Sequence, residues 1–193
     1  MTEAHRLAAA CGILGVVLNL VAVGALQGTP HTYKPGHVDL WLAESLAAPG
    51  ATMVSAWAFT VGLALLVPFC VGLARRDGGT STGAAIVGIG ALLDAVGTFG
   101  PVAAIHGGGQ AFLWFTLLLD SCFNFLSGLG LLAIAAGMRG WPRGLRALAI
   151  VAGLASLPVA LQFQSDAFAG LLAVSGPLWC AWIVWASVAL ARA

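Results

Sequence analysis

Six long apolar runs divide the chain, and they restrict it to a helical fold in a membrane. They lie at about 6–27, 51–74, 82–105, 110–138, 145–163 and 168–191. Each supplies roughly the 20 apolar residues that a helix needs to cross the hydrocarbon core. Backbone polar groups cannot stay unpaired in lipid, and the runs are too long and continuous for the strands of a barrel. The sequence predicts one all-α domain over 1–193, a polytopic membrane helix bundle with six transmembrane helices.

The basic residues predict the orientation of this bundle. If the six runs alternate in direction, one side receives Arg6, Arg75, Arg76, Arg139, Arg143, Arg146 and Arg192. Only Lys34 falls on the other side. Cytoplasmic loops carry the excess of Lys and Arg, so both termini are predicted to be cytoplasmic.

The segment 31–50 is predicted to lie at the outer interface instead of crossing the membrane. Its apolar residues recur at helical spacing, at Val38, Trp41, Leu42 and Leu46. His37 and Glu44 stand seven apart on another face of the same helix. This pattern is typical of a short amphipathic helix, which serves either as a connector or as a lid over a cavity.

Two aspartates, Asp94 and Asp120, lie in the middle of the third and fourth apolar runs. A carboxylate at mid-membrane costs about 2.5–3.5 kcal/mol, so it must face a polar interior, a partner or a substrate. The two runs are consecutive and antiparallel, which predicts that both carboxyl groups lie near the midplane. No Lys or Arg lies deep in any run, and burial without a cation favours the neutral acid. Two close carboxyl groups would share a proton.

A polar stripe surrounds Asp120 on the fourth run. Thr116, Asp120, Asn124 and Ser127 follow the spacing i, i+4, i+8 and i+11, which places them on one helix face. Asn19 occupies a similar polar position in the first run. These residues are candidate substrate contacts. The alternative is that they hold helices together, since interhelical hydrogen bonds are worth roughly 0.6 kcal/mol each.

Aromatic residues form a second candidate set. Trp179 and Trp182 stand three apart in the sixth run, close to Pro177, and Phe123 lies in the fourth run. Such rings either pack in the core or form a wall that stabilises a cation, which is worth about 2 kcal/mol when the site is dry.

The sequence predicts neither a metal nor a cofactor. Outer-side candidates for metal ligands are His31, His37, His106, Asp39 and Glu44, whose spacing matches no metal motif. The four cysteines lie in apolar runs without a CxxC pair, which is typical of small buried side chains. A net charge of +1 gives no nucleic-acid footprint.

One stretch carries a family resemblance. Residues 128–155 include Gly137-Met138-Arg139-Gly140-Trp141-Pro142-Arg143-Gly144-Leu145, and the first run opens His5-Arg6-Leu7-Ala8. With the six-run layout, this sequence resembles a bacterial family of small membrane proteins that is classed as a domain of unknown function. The resemblance implies six helices and the bacterial inner membrane, and it supplies no catalytic residues.

The carboxyl and aromatic residues together predict an intramembrane enzyme. A buried acid would protonate a lipophilic, prenyl or terpenoid-type substrate, and aromatic rings would steady the carbocation during cyclisation or isomerisation. Asp94 or Asp120 would be the acid, with Glu44 as an outer-side contributor. The substrate contacts would be Asn124, Thr116, Ser127, Trp179, Trp182, Phe123 and Asn19. This logic, with the size and helical build, is similar to that of integral membrane terpene cyclases.

Two other functions stay open at this point. Mid-membrane carboxylates also serve as proton relays in carriers, and weak likeness between runs 2–3 and 4–5 is a pattern found in some transporters. The partners would then be a lipophilic small molecule, the bilayer and a second copy of the chain, with Gly24 and Gly28 as a close-contact motif. A non-catalytic accessory subunit is the third alternative.

Overall fold

The described chain is helical throughout its regular structure. A computed structural model describes residues 3–26, 37–162 and 164–192, and no strand occurs in these ranges. Four helices cover the first half of the bundle: α1 (Glu3–Leu26), α2 (Val38–Ala47), α3 (Pro49–Ala64) and α4 (Leu66–Arg76). Six follow: α5 (Ser81–Gly97), α6 (Gly100–Ala103), α7 (Gln110–Gly137), α8 (Arg143–Val159), α9 (Asp166–Gly170) and α10 (Leu172–Ala191). The predicted all-α class is therefore confirmed.

Five segments are long and apolar enough to cross a membrane. They are Glu3–Leu26, Pro49–Arg76, Gly78–Gly108, Gln110–Gly137 and Leu172–Ala191. The predicted run 145–163 corresponds to α8, which has 17 residues. At 1.5 Å per residue it is about 25 Å long, a few ångströms short of a ~30 Å hydrocarbon core. A helical, membrane-embedded protein follows from these segments, whereas the count of six spans and the orientation stay predictions.

Two of the long segments are broken where the sequence runs continuously apolar. The break between α3 and α4 falls at Leu65, three residues before Pro68. The break after α5 precedes Pro101. A proline lacks the N–H that would bond the carbonyl four residues earlier, so each break has a local covalent cause.

Close contacts between glycines hold the long helices together. In three pairs, a Cβ built on one glycine would lie between 2.5 and 3.0 Å from the carbonyl oxygen of the other. The pairs are Gly15/Gly62 (α1–α3), Gly83/Gly130 (α5–α7) and Gly128/Gly153 (α7–α8). Lipid offers no hydrophobic driving force between helices, so backbones must approach closely to gain packing and weak Cα–H···O contacts. The glycines permit that approach.

At one end of the bundle, which is called the Asp77 end below, a carboxylate connects two loops. Asp77 accepts hydrogen bonds from the backbone N–H of Arg139 at 2.8 Å and of Gly79 at 3.1 Å. The Arg76 guanidinium stacks over the Trp141 ring at 3.9 Å from its centroid and donates to the Ala189 carbonyl. These contacts join the ends of α4, α7 and α10.

The opposite end, here the α2 end, is covered by the short helix predicted for 31–50. α2 spans Val38–Ala47, and residues 31–36 lie outside the described residues. Val38 and Trp41 are buried against Ala104, Leu113 and Leu117. Leu46, predicted for the same apolar face, is 53% exposed instead. The helix packs on the bundle through its first two turns.

The glycine contacts predict a stability difference between matched variants. A methyl group at Gly130 would meet Val87 at 2.6 Å and the Gly83 carbonyl at 2.9 Å, whereas one at Gly24 meets no described atom within 4 Å. We expect Gly130→Ala to lower the unfolding free energy by about 1–3 kcal/mol, as overpacking does in other cores. Thermal unfolding in detergent measures it, with Gly24→Ala as control. Equal stability of the two variants would contradict the packing.

Asp77 predicts how stability depends on pH. The Arg139 backbone N–H, with a smaller contribution from Gly79, holds the pKa of Asp77 below its usual value. A depressed folded-state pKa adds stability above the unfolded value, near pH 4, and this stability is lost as pH falls through the folded pKa. We therefore expect Asp77→Ala to be less stable than wild type at pH 7, with a difference that shrinks below about pH 4. Melting curves across pH test this, and a constant difference would refute it.

Candidate functional site

A cavity of about 770 Å³ lies inside the bundle. Residues of α1, α2, α3, α5, α7, α8 and α10 line it, and most of them are apolar. Small-molecule sites usually occupy about 300–1,000 Å³ and combine an apolar wall with a few polar groups. The cavity is therefore a candidate binding site of ordinary size.

The structure brings Asp94 and Asp120 together at this cavity. Both side chains line it, Asp94 from α5 and Asp120 from α7, and they are close enough for their charges to interact. Asp94 is only 7% exposed. Asp120 lies ten residues into α7, which corresponds to a depth of about 15 Å. The two carboxyl groups thus form a pair deep in the bundle.

The two carboxyl groups differ in their hydrogen bonds. Asp120 Oδ2 accepts from Asn124 Nδ2 at 3.1 Å and also from Gln162 Nε2. No group in the described part of the chain donates a hydrogen bond to the Asp94 carboxyl. Two N–H donors stabilise the anionic form of the group that accepts them. Asp120 is therefore the member of the pair whose anionic form is the better stabilised.

Gln162 is a site residue that the sequence analysis missed. It follows α8, is fully buried, and places its amide within 3.5 Å of Ser121 Oγ as well as against Asp120. Its signal in the sequence is an amide side chain at the end of an apolar run, where a span meets the interface. Nothing in that pattern shows that the chain turns Gln162 inward toward α7.

The predicted stripe on α7 faces the cavity with all four members. Thr116, Asp120, Asn124 and Ser127 line the same wall. The Thr116 hydroxyl donates to the Gly97 carbonyl at 2.9 Å, and Pro101 leaves that carbonyl without its helical donor. Thr116 therefore ties α7 to α5. The Ser127 Oγ is buried and has no hydrogen-bond partner within the described residues.

The predicted aromatic set separates into two places. Phe123 and Trp179 both line the cavity and make an edge-to-face pair, with centroids 5.4 Å apart and planes at 84°. Trp182 lies in the core against Phe69, 5.9 Å between centroids, and does not line the cavity. α10 thus presents only one of its two deep tryptophans to the site.

Asn19 and Glu44 also differ in where they lie. Asn19 lines the cavity from α1 and packs against Gly62. Glu44 does not line it, although Trp41 and Ser45 of the same helix do. Further hydroxyl residues that line the cavity were not predicted: Thr52, Ser55, Ser156 and Ser175. Short hydroxyl side chains occur on lipid-facing surfaces too, so the sequence does not single them out.

The lining contains no Lys, Arg or His among the described residues. Within the same residues, no three His, Cys, Asp or Glu side chains gather as a metal site, and His31 lies outside them. An anionic head group would find no counter-charge beside the carboxyl pair. The site is suited to a neutral molecule.

Comparisons with protein-family models, with curated proteins and with solved structures give no match to this chain. The resemblance of residues 128–155 to a bacterial membrane family therefore stays a prediction from sequence.

Because Thr116 connects α7 to α5, replacing its hydroxyl should lower the stability of the protein and leave the cavity unchanged. Thr116→Val keeps the shape but removes the donor to the Gly97 carbonyl. We expect the unfolding free energy to fall by about 0.6–1.7 kcal/mol, the range for such bonds between membrane helices. Thr82→Val, at an exposed position on α5, is the matched control. Unfolding in mixed detergent measures both, and an unchanged Thr116→Val variant would contradict the assignment.

Proposed function

We propose that the chain spans the bacterial inner membrane six times, with both termini cytoplasmic and α2 on the outer side. Arg75, Arg76, Arg139 and Arg143 stand at the ends of helices that meet at the Asp77 end, opposite α2. The positive-inside rule then supports a cytoplasmic Asp77 end. α8, though short, carries the chain back toward the α2 end before α10 returns.

We propose that the protein is an intramembrane enzyme for acid-initiated isomerisation or cyclisation of a lipophilic, prenyl-type substrate. The observation that carries this proposal is the unequal carboxyl pair at an apolar cavity. Asp94, which accepts no hydrogen bond from the described residues, is the acid in this proposal, and Asn124 and Gln162 stabilise Asp120 as the carboxylate. A pair of titratable groups kept in different protonation states is the arrangement that acid–base catalysis needs.

The positions of these groups support the following sequence of steps. The Asp94 carboxylic acid gives its proton to one carbon of a C=C bond, and the π electrons form the new C–H bond. The neighbouring carbon becomes a cation, which the faces of Phe123 and Trp179 stabilise. Asp120 then removes a proton from an adjacent carbon, and the C–H electrons form the new C=C bond.

The cycle closes without a co-reactant. The proton on Asp120 returns to Asp94, because the two carboxyl groups share one proton. In a cyclisation, a second C=C bond attacks the cation and forms a C–C bond before the proton is lost. The lack of basic residues among the described part of the lining supports initiation by protonation, since departure of a diphosphate would need cationic partners for the leaving group.

A proton-coupled carrier for a lipophilic molecule is the second candidate. The position of the carboxyl pair favours it, since paired acids deep in a membrane bundle relay protons in transporters. The two candidates differ in one outcome. An enzyme releases a changed molecule, whereas a carrier moves the same molecule together with protons.

The enzyme proposal predicts the effect of neutralising Asp94. Purified protein in lipid nanodiscs is incubated in D₂O with neutral prenyl alcohols and epoxides, and products are read by mass spectrometry. We expect wild type to place deuterium on carbon, and Asp94→Asn to lower the rate by about 10²–10⁴-fold, the usual contribution of a general acid. Asp39→Asn, an exposed carboxylate of α2, is the control and should retain the wild-type rate.

The opposing outcomes are equally specific. Product formation by Asp94→Asn at the wild-type rate would remove the acid from the mechanism. No product with any substrate, together with a proton flux in proteoliposomes that depends on Asp120, would favour the carrier.

A further inference from the structure

Helices α1 and α10 are antiparallel neighbours that close against each other at the Asp77 end. Gly12 of α1 packs on the Ser187 side chain, and Leu190 lies in one cluster with Ala8 and Ala9. The two helices run in opposite directions. Val23 comes eleven residues after Gly12, and Gly176 comes eleven residues before Ser187, so Val23 and Gly176 lie at the same level of the bundle. This level lies in the half of the bundle that α2 covers.

At that level the two helices do not close. Leu20 and Val23 of α1 line the cavity and are 61% and 49% exposed. Ala173 and Pro177 of α10 also line the cavity and are exposed. A methyl group built on Gly176 would meet no described atom within 4 Å. Such high exposure of side chains in the cavity wall indicates an opening between the two helices, which is called the α1–α10 portal below.

The polar groups of the cavity lie in two layers. Ser55 lies six residues into α3, at a depth of about 9 Å, and the Asp120 carboxyl lies deeper, at about 15 Å. Ser45 of α2 belongs to the upper layer, because its carbonyl lies 3.5 Å from the Thr52 hydroxyl. Ser45 and Ser55 are buried, and their hydroxyls make no hydrogen bond within the described residues. The upper layer thus offers free hydroxyls, and the lower layer offers the carboxyl pair.

We propose that a neutral amphiphile, an unsaturated hydrocarbon chain with one hydroxyl or carbonyl end, moves from the bilayer into the cavity through the α1–α10 portal. Its polar end lies at Ser45 and Ser55, and its chain reaches Asp94 and Asp120. A lipid in a leaflet already holds its polar end near the interface and its chain deeper, so sideways movement preserves this orientation. The inference deepens the proposed function, because it names the substrate class and its route to the same site.

The portal is tested with a cysteine that the chain already contains. Cys180 lines the cavity from α10 on the portal side, whereas Cys122 of α7 is also partly exposed but does not line it. Protein in liposomes is treated with N-ethylmaleimide, which dissolves in lipid, and alkylation of each cysteine is followed by peptide mass spectrometry. Cys122 serves as the internal reference.

We expect Gly176→Phe to slow alkylation of Cys180 by about tenfold, which corresponds to about 1.4 kcal/mol on the barrier. Gly24→Phe is the matched control, since Gly24 lies one residue from Val23, also has open space, and does not line the cavity. Ala173→Phe is a second portal variant in case Gly176→Phe does not fold. Alkylation of Cys180 at the wild-type rate in both folded portal variants would overturn the route.

The ligand class is tested by protection of the same cysteine. We expect farnesol to slow alkylation of Cys180, and farnesyl diphosphate at the same concentration to leave it unchanged. Ser45→Ala with Ser55→Ala should weaken protection by farnesol about tenfold, the effect of losing hydrogen bonds worth about 1–1.5 kcal/mol. Protection by the diphosphate alone, or by neither compound, would overturn the class.

These outcomes are separate from those of the enzyme proposal. Asp94→Asn should abolish turnover and still show protection of Cys180 by farnesol. If protection and the portal effect are present but no wild-type product forms, the binding inference stands and the enzyme proposal fails. If product forms while portal variants react normally, the enzyme proposal stands and the route fails.

Discussion

The close approach of glycine backbones is the constraint on which the rest of this structure depends. Lipid surrounds the helices with material as apolar as their own side chains, so burial alone does not bring them together. On α7, Gly130 meets α5 and Gly128 meets α8. These two contacts fix the rotation of α7 about its axis. With this rotation, the polar face of α7 points toward the interior that α1, α3 and α10 enclose.

The chemistry of the site follows from that rotation. The Gly83/Gly130 contact and the bond from Thr116 to the Gly97 carbonyl hold α5 and α7 in one register. Asp94 and Asp120 therefore arrive at the same cavity from neighbouring helices. The α8 contact has a separate consequence, because the chain after α8 delivers Gln162 to Asp120. This third helix adds a second donor to the one that Asn124 already gives Asp120 from α7.

The sequence predicted the helices well, and it predicted their interruptions poorly. Runs of about 20 apolar residues leave a chain in lipid no alternative to helix, so their existence follows from composition and length. Because the fourth run must be helical, the spacing of Thr116, Asp120, Asn124 and Ser127 places these four residues on one helix face. The interruption at Leu65 depends on Pro68, and apolar periodicity does not encode it.

What the sequence by itself determined is the set of local properties: helices in apolar runs, a polar face on α7, and two acids too costly to leave in lipid. Only the tertiary structure decided which polar groups meet. It turned Trp179 into the cavity and Trp182 into the core, although both lie on one helix. It also gave Asp120 two donors and Asp94 none from the described residues. The reason is that these partners lie far apart along the chain, and contacts between helices have no signature within either helix.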